Sequence, residues 1–140
     1  MARMTSRTPR RGIETVEAAL VFPFLLIITF GIVEYGWLFL KEHQLTNVTR
    51  QAARLAAMPD ATAASVNAVI TTMMQNAKIS GYQTTYSPDI SNPKVTATAG
   101  QPITVTIRVP YVHNLSLTNV TLIPLPGTLQ AQVAMNKEGP

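Results

Sequence analysis

Residues 18–40 read AALVFPFLLIITFGIVEYGWLFL and carry a single charged side chain, Glu34. At 1.5 Å per residue, a helix of this length spans roughly 35 Å, enough to cross a bilayer hydrocarbon core of about 30 Å. Four arginines and no acidic residue occupy the first eleven positions. Because arginine and lysine are retained on the cytoplasmic side, the pattern predicts a membrane-spanning helix with a cytoplasmic N-terminus.

A cleaved secretory signal peptide is the alternative, since it also joins a basic start to an apolar segment. Its apolar region normally covers about 7–15 residues and ends at a small-x-small site. The run in this chain is longer and ends in the aromatic residues Tyr35, Trp37 and Phe39, which suit a membrane–water interface. The pattern therefore favours a retained span, which Pro23 is expected to bend by removing a backbone hydrogen bond.

The rest of the composition narrows the possible functions. A chain of 140 residues has room for one modest domain besides the anchor. Beyond residue 40 the charges are scattered, seven basic against four acidic, so the net charge of +4 does not indicate nucleic-acid binding. No cysteine is present, and the two histidines, His43 and His113, show no metal-site or triad pattern. We therefore predict no catalytic residue, metal or cofactor.

After the span, the periodicity is first helical. Small and apolar residues recur at spacings of three and four from Lys41 to Met58, which predicts that the span continues outward as one long helix. The sequence MPD at 58–60 ends it, and Asp60 or Thr62 can cap a second, amphipathic helix that reaches about Lys78. The sequence SGY at 80–82 ends this helix, since Gly81 suits the left-handed C-cap position.

The final third alternates apolar and polar residues, which is typical of half-buried strands. Three segments show the pattern: KVTATA at 94–99, ITVTIRVPYV at 103–112 and TLQAQVAMN at 128–136. Pro110 indicates that its strand lies at an edge or ends there. The predicted fold class is α+β, with a small antiparallel sheet packed on the second helix and the outer part of the first. We divide the chain into a leader (1–12), a transmembrane helix (13–40) and an extracytoplasmic domain (41–140).

Two residues at the start of the apolar segment need an explanation, Gly12 and Glu17. A carboxylate without a partner is costly in an apolar environment. Cleavage after Gly12 would create an α-amine on Ile13, one helical turn from Glu17, and this amine or that of a neighbouring subunit could pair with the carboxylate. Alternatively, Glu17 lies among headgroups near the arginines, and charge placement alone leaves these options open. Glu34, near the outer end, is expected to stay solvated.

The segment RRGIETVEAALVFPFLLIITFGIVEYGWLF at 10–39 resembles the TadE-like family, minor pseudopilins of the tight-adherence (Flp type IV pilus) secretion system. A glycine followed five positions later by glutamate, at the start of one N-terminal apolar helix, is shared with prepilins. RQAARLAA at 50–57 resembles the pattern that follows the family's helix, and AQVAMNKE at 131–138 is similar to its closing strand.

The resemblance implies a single-pass protein of the bacterial inner membrane, with a periplasmic domain and no enzymatic activity. It implies cleavage by a prepilin peptidase between Gly12 and Ile13, and pairing of Glu17 with a mature amine. The implied partners are other pilins or pseudopilins, Tad pilus-assembly proteins and membrane lipid. Five residues of the matching segments are assigned to helix packing or interfaces: Pro23, Glu34, Tyr35, Arg50 and Arg54. The alternative function is a membrane-anchored protein whose extracytoplasmic domain binds a ligand or partner.

Overall fold

A computed structural model of the chain describes residues 11–90, 98–111, 115–117 and 124–139. The elements are α1 (Arg11–Ala57), α2 (Ala63–Asn76), β1 (Gln83–Ser87), β2 (Pro102–Pro110) and β3 (Thr128–Asn136). The α+β prediction is confirmed, including a single first helix that continues beyond the apolar segment. The chain divides into two compact units, Met1–Val33 and Glu34–Pro140.

The first unit contains the apolar part of α1. By length and composition, α1 can cross a membrane, and its most apolar 18-residue window has a mean hydropathy of 2.4 and no buried residue. The 21 residues from Ile13 to Val33 span about 32 Å as a helix, close to the thickness of a hydrocarbon core. Residues 34–40, the last part of the predicted span, fall within the compact second unit, and the predicted division at residues 12 and 40 stays a prediction.

The second unit contains a three-stranded antiparallel sheet in the order β1-β2-β3. The central strand β2 pairs with β3 over its whole length, from Pro102 opposite Asn136 to Pro110 opposite Thr128. Both prolines are therefore terminal residues of the strand, and the prediction that the strand ends at Pro110 is confirmed. The strand β1 was not predicted, and most of the strand predicted at 94–99 lies outside the described residues.

The ends of α2 are set by local hydrogen bonds. Thr62 accepts from the Ser65 amide and the Ser65 hydroxyl accepts from the Thr62 amide, which forms a capping box and confirms Thr62 as a cap. The helix ends at Asn76, two residues before the predicted Lys78. It ends earlier because Lys78 adopts a left-handed conformation with φ of 52°. Gly81 is also left-handed, with φ of 68°, but the prediction that it caps the helix is wrong, because the C-cap is Ala77 and Lys78 is the left-handed residue that follows it.

One hydrophobic core joins both helices to the sheet in the second unit. Val66, Ile70 and Met74 recur every four residues and form the buried face of α2. The largest contribution of the sheet comes from β2, whose alternate residues Ile103, Val105, Ile107 and Val109 are buried. From α1 the core receives Leu38, Leu45, Val48, Ala52, Ala53 and Ala56. The predicted packing of the sheet on α2 and the outer part of α1 is therefore confirmed.

The end of β3 holds the end of α1. The Glu138 amide donates to the Ala57 carbonyl at 2.8 Å, and Lys137 Nζ donates to the Met58 carbonyl at 2.6 Å. The last carbonyls of a helix lack partners within the helix and carry partial negative charge, so a lysine ammonium stabilises them. These contacts fix the helix terminus against the closing strand.

Candidate functional site

The predicted cleavage residues lie in the first turn of α1. Gly12 and Ile13 are exposed, with 72% of the Ile13 surface accessible. A Cβ atom added to Gly12 would meet no atom within 4 Å. Packing therefore does not require glycine at this position, although glycine in a helix is less stable than alanine by roughly 1 kcal/mol.

Glu17 lies one turn beyond Ile13 on the exposed surface of the same unit. Among the residues that the structure describes, its carboxylate has no hydrogen-bond or ion-pair partner. One helical turn away on either side lie the exposed apolar residues Ile13, Leu20 and Val21 and a second carboxylate, Glu14. Pairing of Glu17 with an amine stays a prediction, and the geometry leaves the carboxylate available for it.

Pro23 interrupts the hydrogen bonding of α1 within the exposed apolar segment. The helix continues through it, although its ring nitrogen cannot donate to the Ala19 carbonyl. Its role in helix packing stays a prediction.

Glu34 is the first residue of the second unit and is completely buried. Its Oε1 accepts hydrogen bonds from the Tyr111 hydroxyl at 3.1 Å, the Ser116 hydroxyl at 2.8 Å and the Leu117 amide at 3.1 Å. The expectation that Glu34 stays solvated is wrong. Donors 77 to 83 positions away along the chain replace the water that a solvated carboxylate would bind.

Two neighbouring residues of α1 also bond to the chain that follows β2. The Trp37 indole donates to the Leu115 carbonyl at 2.7 Å, and the Tyr35 hydroxyl donates to the Pro124 carbonyl at 2.9 Å. The Leu115 and Ser116 amides both donate to the Tyr111 carbonyl. One turn of α1 thus positions the segment that follows β2. We call the described residues 111 and 115–117 the docked segment.

The environment of Tyr111 favours its neutral phenol. Burial raises the pKa of Tyr111 well above its usual range, and donation to the Glu34 carboxylate and the charge of that carboxylate raise it further. A neutral phenol is required here because only the protonated oxygen can donate to Glu34. Tyr86 is also affected: burial, followed by the nearby Tyr82, raises the pKa of Tyr86 to about 12.

Lys41, which the sequence did not single out, connects α1 to the end of α2. Its Nζ donates to the Ala77 carbonyl at 2.6 Å and lies 4.9 Å from the centre of the Trp37 ring. Only 4% of the residue is exposed. Trp37 and Lys41 follow Glu34 at spacings of three and seven, so all three share one helical face. That spacing is a signal in the sequence that the three residues contact later parts of the chain from one side of α1.

Arg50 and Arg54 lie one turn apart on α1, both exposed, and border a cleft of about 360 Å³. Asn47, Gln51, Met73 and Met135 line the rest of it. Of the predicted site residues, Arg50 and Arg54 therefore border one cleft, and Glu34 and Tyr35 both bond to residues that follow β2. Glu17 belongs to the other unit. In the described part of the chain, no three His, Cys, Asp or Glu side chains form a group that could hold a metal ion.

Comparison with known protein families gives a match to the family described as TadE-like protein. Residues 12–54 match this family. The matched segment begins at the predicted cleavage glycine and contains Glu17, Glu34, Arg50 and Arg54, but it ends before α2. The family indicates a protein associated with Tad pili. Searches of curated proteins and of solved structures gave no match.

The raised pKa values of Tyr86 and Tyr111 make stability depend on alkaline pH. In the unfolded chain both phenols ionise near pH 10, whereas the folded protein keeps them neutral to higher pH. The stabilisation is therefore fully present below about pH 10 and is lost as pH rises above it. We expect the free energy of unfolding to fall above pH 10, and to fall less steeply in the Tyr86→Phe/Tyr111→Phe double variant.

Urea titrations of the full chain in detergent measure this dependence. At pH 7 the phenols are neutral, so the difference between the wild type and the double variant reports only the lost hydrogen bonds. Removing the Tyr111 donor alone should lower the free energy of unfolding by about 1–3 kcal/mol. Equal slopes above pH 10 for the wild type and the double variant would contradict the assignment of raised pKa values.

Proposed function

We propose that this chain is a minor pseudopilin, TadE-like, that supports assembly of Flp pili in a tight-adherence system. The observation that carries the proposal is the family match over residues 12–54, which includes a carboxylate on the exposed apolar part of α1. TadE-like pilus proteins are structural components rather than enzymes. The inferred partners are other pilins or pseudopilins and the Tad pilus-assembly proteins.

The apolar surface of the first unit supports a membrane anchor. From Ile13 to Val33 nearly every residue is exposed, and water is an unfavourable environment for so much contiguous apolar surface. Lipid tails, or the apolar helices of neighbouring subunits, would cover it. With the arginine cluster held in the cytoplasm, the second unit lies in the periplasm.

The surroundings of Gly12 support processing by a prepilin peptidase. No neighbouring atom excludes a side chain at this position, so the fold supplies no packing reason for glycine. A peptidase that accepts only a small residue before the cleaved bond supplies one. Cleavage after Gly12 removes the basic leader and leaves the amine of Ile13 at the start of the apolar helix.

The location of Glu17 supports a role in subunit contacts. A carboxylate surrounded by lipid or by apolar helices needs a partner, and none is present among the described residues. The amine of Ile13 lies one turn away in the same chain, and the equivalent amine of a neighbouring subunit would also satisfy the carboxylate. In the second case, the pair would fix the axial position of one subunit against the next.

Cleavage between Gly12 and Ile13 is the first expected outcome. Mass spectrometry of the protein from cells with an active prepilin peptidase should find a mature chain that begins at Ile13. Gly12→Leu should abolish this product because a bulky residue then precedes the cleaved bond. Gly36→Leu is the matched control, since Gly36 is also helical with open space around it, and cleavage should be normal. Recovery of only full-length wild-type protein would exclude processing.

The second expected outcome concerns the charge of Glu17. Glu17→Gln keeps the shape of the side chain but cannot form an ion pair, so co-purification with other pilus subunits should fall by about tenfold or more. Cleavage after Gly12 should persist, which separates assembly from processing. Glu14→Gln is the control because it removes an exposed carboxylate from the first turn of the same helix. Normal assembly of the Glu17→Gln protein would show that Glu17 lies among headgroups without a specific partner.

A further inference from the structure

A cleft of about 220 Å³ lies in the second unit beside the docked segment. Its lining residues come from the first turns of α1 in this unit, the end of α2 and the docked segment. They are Trp37, Lys41, Lys78, Leu115, Ser116 and Leu117. Two of the six are cations and none is an acid.

Both lysines line the same cleft; burial lowers the pKa of Lys41, and the positive charge of Lys78 lowers it further. Within the described part of the chain, neither ammonium group pairs with a carboxylate. An ammonium group has three donors, so Lys41 keeps two after its bond to the Ala77 carbonyl. An anion in the cleft would offset the repulsion between the two cations and accept the remaining hydrogen bonds.

The backbone at Lys78 is held in a conformation that favours glycine. Its φ of 52° is left-handed, a conformation that is unfavourable for a residue with a Cβ atom and readily adopted by glycine. The chain thus presents an ammonium group at the cleft although glycine would fit the backbone better.

Two residues that line the cleft, Trp37 and Lys41, follow closely after the apolar segment in the sequence of α1. Trp37 follows Val33, the last residue of the apolar unit, by four positions, which is about 6 Å along the helix. The Lys41 ammonium lies over the Trp37 ring, because helical side chains point towards the N-terminus. Each headgroup layer of a bilayer is roughly 5–8 Å thick, so in a membrane crossed by residues 13–33 this part of α1 would enter the headgroup layer.

We propose that this cleft binds the phosphate group of an anionic phospholipid in the outer leaflet of the cytoplasmic membrane. Lys41 and Lys78 pair with the phosphate, and Leu117, which is 52% exposed, contacts the adjoining apolar part of the lipid. The inference rests on the membrane anchoring given under the proposed function. Free phosphate presents the same charged group, so the test must separate the two sources.

The only tryptophan of the chain, Trp37, lines the cleft and reports on its occupancy. The full chain is placed in phosphatidylcholine nanodiscs that contain increasing fractions of phosphatidylglycerol. We expect a saturable change in Trp37 fluorescence with the anionic lipid. Inorganic phosphate, added to discs that contain phosphatidylcholine alone, should produce no comparable change.

Lys78→Gly is the decisive variant because it removes the ammonium group while favouring the left-handed backbone, so the fold should persist. We expect its half-saturating lipid fraction to rise by roughly fivefold or more. Lys78→Arg should bind as the wild type does. Arg108→Gln is the control for loss of one positive charge, since Arg108 is exposed on β2 and lies outside the cleft.

Equal lipid titrations for the wild type and Lys78→Gly would overturn the proposed site. A saturable response to inorganic phosphate at equivalent concentration would overturn the lipid as its source. Failure of the wild-type chain to enter nanodiscs would overturn the membrane anchor and the lipid site together. Failure of the lipid site alone is recognised because the chain then enters the discs without a Trp37 response.

Discussion

The course of the chain after β2 depends on the burial of one carboxylate, that of Glu34. Removing a carboxylate from water is costly, and the cost is offset only when donors surround it. Here the donors are the Tyr111 and Ser116 hydroxyls and the Leu117 amide. Because these groups belong to the docked segment, satisfying Glu34 fixes the course of the chain after β2. The sheet and the first helix are thereby joined through polar contacts as well as through the core.

The hydrogen bonds to Glu34 also position residues of the proposed lipid-binding cleft. Ser116 and Leu117 are bound to Glu34 and also line the cleft that contains Lys41 and Lys78. A carboxylate at the start of the folded unit therefore organises a cationic cleft without pairing with either lysine. This separation leaves the positive charge available for a phosphate anion, whereas a salt bridge would have neutralised it.

The sequence was most informative where one periodicity continued over many residues. The apolar run of α1, the spacing of Val66, Ile70 and Met74, and the alternation in β2 and β3 all predicted elements that the structure contains. The polar strand β1 was missed because its signal is only the alternation of half-buried Thr84 and Tyr86 within five residues. Solvation of Glu34 was inferred from its distance to the end of the apolar run, which gives no information about donors more than 70 positions away. For the same reason, the cleft beside Trp37 could not be predicted.

Hydrogen exchange at the Leu117 amide tests most directly whether Glu34 holds the docked segment, since that amide donates to Glu34 Oε1. In the wild-type chain the amide should be protected. In Glu34→Ala it should exchange much faster, while amides of the central strand such as Val105 stay protected; Glu17→Ala, which removes a carboxylate elsewhere on α1, should leave both unchanged. Equal protection of the Leu117 amide in the wild type and Glu34→Ala would contradict the account, because the segment would then be held without the carboxylate.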